Sequence, residues 1–85
     1  NHGTLALGAT VAEAFMRIYF IERACEMQVA TLSSTGGTYY PTDENVQEKV
    51  AEQGRDEEMV KQGANMLAWP ALLRRLDRID SSYQD

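Results

Sequence analysis

Few side chains in this 85-residue sequence suit catalysis or metal binding, and one of them stands at its second position. His2, the only histidine, lies in the run Asn1-His2-Gly3-Thr4-Leu5-Ala6-Leu7-Gly8. Neutral imidazole is a common ligand for zinc and related divalent metals. A catalytic zinc site takes about three protein ligands and leaves one position open, so one histidine cannot complete it. Taken alone, His2 is expected to be structural or incidental. Cys25 has no histidine or lysine three or four positions away to activate its thiol, and is expected to be a small buried hydrophobe. Glu22 falls on an apolar helical stripe between Ile18 and Cys25, where a carboxylate needs a partner such as an arginine or a backbone N–H. Arg74, Arg75 and Arg78 are interleaved with Asp77 and followed by Asp80, which predicts an exposed salt-bridged face rather than an anion site. Tyr39-Tyr40 is expected to anchor a loop, and Gly36-Gly37 is too short a signal for a phosphate loop. No residue is assigned a catalytic or cofactor-binding role.

The elements that must position these groups are mostly helical. Thr4-Leu5-Ala6-Leu7, closed by Gly8, reads as a short buried strand. Met is absent before it, so the run reads as the interior of a longer domain. Thr10-Val11-Ala12-Glu13 matches a capping box: the Thr10 hydroxyl accepts the Glu13 N–H, and the Glu13 carboxylate reaches back to the N–H of Thr10. A long helix is predicted from about Val11 to about Leu32. Val11, Ala14, Phe15, Ile18, Ile21, Cys25, Val29 and Leu32 form its main apolar stripe. Met16, Phe20, Ala24 and Met27 form a second, nearly opposite. Two stripes imply cover on both sides, by two layers of one domain or by another subunit.

Ser33 to Thr38, with adjacent glycines, breaks this helix. Thr42-Asp43-Glu44 starts a second, mostly polar helix that runs to about Gln53. Arg55-Asp56-Glu57-Glu58 reads as a charged connector. A third helix covers roughly Glu57 to Ile79, with Pro70 as its break point. Proline cannot donate to the Met66 carbonyl, and it biases Trp69 away from helical angles. Trp69, Leu72, Leu73, Leu76 and Ile79 make an apolar stripe, followed by a polar tail. The fold class is thus mainly α, with one short N-terminal strand and about three helices.

Composition narrows the function classes. Eight Lys+Arg against thirteen Asp+Glu give a net charge of -5, which argues against nucleic acid as a partner. One cysteine excludes an internal disulfide framework and fits a reducing, cytoplasmic location. No apolar run approaches the roughly 20 residues that span a bilayer, so no membrane partner is expected.

Three strings resemble the class II aldolase/adducin family. The first is Asn1 to Gly8 followed by Thr10-Val11-Ala12-Glu13-Ala14-Phe15. The second is Tyr19-Phe20-Ile21-Glu22-Arg23-Ala24-Cys25-Glu26-Met27-Gln28. The third, looser, is Ala68-Trp69-Pro70-Ala71-Leu72-Leu73-Arg74-Arg75-Leu76-Asp77-Arg78. The resemblance implies that residues 1–85 are the C-terminal portion of a single α/β/α domain. It implies a parent enzyme that uses zinc or another divalent metal as a Lewis acid in aldol cleavage or epimerisation of sugar phosphates or similar carbonyl substrates. It transfers a metal-ligand role to His2 alone. The family's His-x-His pair, its acid/base glutamate and its phosphate loops have no counterpart here, so the chain by itself is expected to be inactive and to hold no metal. The adducin branch implies the alternative, a non-enzymatic interaction module. With most of a sheet missing, the long helix is expected to expose an apolar face and to form homo-oligomers.

Overall fold

The computed structural model describes residues 2–84, and these are helical with no strand among them. Helix α1 (Val11–Ser34) begins where the sequence places its cap, with Thr10 in extended conformation and its hydroxyl accepting the Glu13 N–H. It ends at Thr35, after which Gly36 (φ 64°) and Gly37 (φ 88°) take left-handed angles that residues with a Cβ rarely adopt. The Gly37 N–H then satisfies the Leu32 carbonyl at 2.8 Å. Helix α2 (Glu44–Arg55) is capped by Asp43, whose carboxylate accepts the Asn45 N–H at 2.8 Å. It continues through Gly54, two residues past the expected end.

The expected connector at 55–58 shrinks to a single residue. Asp56 closes α2 and caps α3 (Glu57–Gln62), its carboxylate accepting the Met59 N–H at 3.1 Å. The chain then passes through a π-helical segment, Gly63–Ala68, into α4 (Trp69–Ile79) and a 3-10 turn, Ser82–Gln84. Here the sequence expectation for Pro70 needs correction. Trp69 keeps helical angles (φ -62°, ψ -49°), and its N–H reaches back five residues to the Ala64 carbonyl. The wider π turn leaves room ahead of the proline ring and changes which carbonyls are called on, so the axis continues instead of breaking.

The strand expected at Thr4–Leu7 does not form. Residues 2–8 have no regular secondary structure, and Leu5 and Leu7 are 82% and 72% exposed. A strand exists through hydrogen bonds to a neighbouring strand, and the described residues offer none.

Helix α1 packs through its N-terminal half on the π-helical segment and α4. Phe15 meets the Trp69 ring edge-on at 5.6 Å between centroids. Only Ala12, Glu13 and Ala64 are buried among the described residues. The radius of gyration is 16.4 Å, against about 12 Å for a compact domain of this length. The second half of α1 projects from the body, so both predicted stripes lie open there, with Met27 and Val29 exposed. Cys25 and Glu22, expected among buried neighbours, are exposed for the same reason. No helix is long and apolar enough to cross a membrane among the described residues.

Candidate functional site

The described residues place His2 in the irregular segment that leads into α1, with its side chain exposed. Gly3 follows with φ 108°, an angle that lets the chain turn directly after the histidine and that other residues rarely adopt. Further along, Gly8 lies against the first turn of α1. A Cβ added there would sit 2.6 Å from the Ala14 nitrogen and 2.9 Å from the Glu13 Cβ, so only glycine allows this approach. The Arg17 guanidinium reaches back from α1 and donates to the Leu7 carbonyl.

A buried polar group sits beside this segment. Glu13 is 6% exposed, and its carboxylate accepts a hydrogen bond from the Thr10 hydroxyl at 2.9 Å. The capping box thus forms with a difference: the carboxylate takes the cap's hydroxyl rather than its backbone N–H. The same Thr10 oxygen lies 2.7 Å from the Asn65 Oδ1 on the π-helical segment. A hydroxyl has one proton, so Thr10 donates to Glu13 or to Asn65 at any moment. Asn65 is itself held by its amide donating to the Lys61 carbonyl at 3.0 Å. Spacing and type disclosed Glu13 as a cap residue; they disclosed neither its burial nor the contact of Thr10 with a segment 55 residues on.

Glu13 and Arg17 also line a cleft of about 400 Å³ with Arg55, Glu57 and Lys61. On another side of α1, Met16, Phe20 and Ile21 face Val50, Met59 and Val60 across an apolar groove of about 960 Å³. A smaller apolar hollow of about 320 Å³ lies between Phe15 and the α4 residues Trp69, Leu72, Leu73, Leu76 and Ile79.

The structure does not bring His2 together with other ligands. Among the described residues, no three His, Cys, Asp or Glu side chains gather where a metal ion could be held. An exposed imidazole fits one position of a zinc or similar site, and the described residues gather no further ligands with it. Glu22 and Cys25 are exposed on α1, and among the described residues neither joins His2 in a group that could hold a metal. Of the three arginines of α4, Arg75 lines the apolar hollow beside Phe15.

Comparison with known proteins places this segment. Residues 1–29 match the model of the Class II Aldolase and Adducin N-terminal domain. Over 88 residues, 100% of this chain, it is 41% identical to a protein of Caulobacter vibrioides named "Putative aldolase class 2 protein". A similarly named protein of Pseudomonas aeruginosa is 34% identical over 91 residues, 99% of this chain. The chain spans 32% of the length of each of these two relatives. Human beta-adducin is 60% identical over 37 residues, 44% of this chain and 5% of that protein. No solved structure matches. The matched residues 1–29 contain His2, Gly3, Gly8, Thr10, Glu13 and Arg17 together.

Proposed function

The chain belongs to the class II aldolase and adducin family, and on that premise we propose that it is the C-terminal portion of a divalent-metal-dependent aldolase or epimerase. In the proposed site His2 supplies one ligand, and residues outside this chain supply the others. Zinc, or a metal like it, would polarise the oxygens of a small carbonyl substrate and stabilise the negative charge that develops on them. The contribution of this chain is to present the imidazole, unburied, at the end of a tethered segment. The observation that carries the reading is similarity along the whole chain to proteins named as class 2 aldolases, with His2 inside the family-matched residues. The cytoplasm is the proposed location, in keeping with the single cysteine.

The test is metal content. The intact parent, purified without chelators, is expected to carry about one zinc or similar ion per chain. His2→Ala is expected to lose it. A parent that binds no divalent metal would sink the enzymatic reading.

Two observations favour the second reading, an adducin-like interaction module. The higher local identities are to adducins, and the exposed apolar faces of α1 and α4 suit contact with other chains. Under either reading we propose homo-oligomers, with the projecting half of α1 in the contact.

A further inference from the structure

We infer that Arg17 is a positioning residue for His2, acting through the backbone of the segment that carries it. The inference rests on the reading of His2 as a ligand. Residues 2–8 have no regular secondary structure, so no ladder or helix of their own holds them. A ligand on such a segment needs an external tether, because metal affinity depends on holding each donor close to its productive geometry. Two features supply the tether. Gly8 docks on the first turn of α1 with no room for a side chain. Arg17 donates to the Leu7 carbonyl across ten residues of sequence. A hydrogen bond from a charged donor is stronger than a neutral one, and a backbone carbonyl is a fixed point on the segment.

The choice of partner supports this role. The ion pairs of the described residues are Arg23–Glu26 and Arg55–Glu48, so Arg17 is not engaged by a carboxylate. Glu13 lines the same cleft, yet its carboxylate bonds to Thr10 instead. Arg17 is therefore left to hold the chain just upstream of the cap. Four residues before Leu7, Gly3 with φ 108° turns the chain directly after His2.

The experiment uses the intact parent and zinc alone, with affinity read by competition against a chromogenic chelator. Cobalt(II) absorption reports the geometry of the site, and far-UV circular dichroism reports the fold. Arg17→Met keeps the stem and removes the donors. It is expected to weaken zinc binding roughly tenfold and to alter the cobalt spectrum, in line with losses from groups that orient ligands. Arg17→Lys keeps one donor and is expected to fall between Arg17→Met and the wild type. If Arg17→Met does not fold, the Arg17→Lys comparison decides alone: wild-type zinc affinity and cobalt spectrum there overturn the inference. His2→Ala that binds zinc like the wild type overturns the ligand reading, and this inference with it. His2→Ala that loses zinc while folded Arg17→Met keeps full affinity overturns the positioning role only.

Discussion

Thr10 Oγ1 lies 2.7 Å from Asn65 Oδ1, joining the cap of the longest helix to a segment 55 residues later in the chain. The same oxygen accepts the Glu13 N–H at 3.2 Å and can donate to the Glu13 carboxylate. One hydroxyl thus serves the start of α1 and its docking on the π-helical segment. It also satisfies a carboxylate that is 6% exposed.

Thr10→Ala removes the cap and leaves Glu13 buried without its hydroxyl partner. The expected loss is about 1–2 kcal/mol, at or above the usual cost of a lost N-cap. Thermal unfolding followed at 222 nm checks this. Thr10→Ser keeps the oxygen and is expected to unfold close to the wild type.

Trp69 is the single tryptophan, and Phe15 meets it edge-on at 5.6 Å. Phe15→Ala opens that contact to water on the α1 side. The indole emission is expected to shift to longer wavelength. Unchanged emission would mean that α1 and α4 do not meet through this pair in solution.

The Tyr83 hydroxyl donates to the Asp77 carboxylate, which holds the phenol above its ordinary pKa of 10.0. The contact therefore stabilises the fold fully below the ordinary phenol pKa and is lost as pH rises through the higher folded value. Absorbance near 295 nm is expected to show a late-titrating tyrosine. Asp77→Asn is expected to bring that component back toward the others, and a curve identical to wild type would refute the contact.

The projecting half of α1 exposes Met27 and Val29, at 65% and 64%. If this half makes the proposed contact between copies, Met27→Lys with Val29→Lys is expected to shift the chain toward monomer. Light scattering coupled to size exclusion reads the mass directly. A wild-type chain that is monomeric at micromolar concentration counts against self-association.

Local chemistry made much of this fold legible. Thr10, Asp43 and the glycine pair at 36 and 37 announce helix ends through side-chain oxygens and permitted angles, and the structure uses each of them so. Gly8 shows the limit of that kind of reading. Its position at a turn was visible, but its need to be glycine comes from the backbone of Ala14, which only the folded arrangement reveals. The contact of Thr10 with Asn65 depends likewise on a segment arriving from far along the chain. Cys25 and Glu22 were misplaced for the opposite reason. A stripe shows which face would be covered, and it does not show whether a covering element exists.

The continuous path through Pro70 has a bearing on how this region tolerates change in length. A π turn holds one residue more than the α turn it replaces, and one residue corresponds to a rotation of about 100° about the axis. Deleting one residue between Gly63 and Ala68 would let an α turn close in place of the π turn, sparing α4 that rotation and keeping Trp69 at the edge of Phe15. Relatives one residue shorter here should therefore keep the α4 pattern in phase, with a plain α turn in place of the π turn.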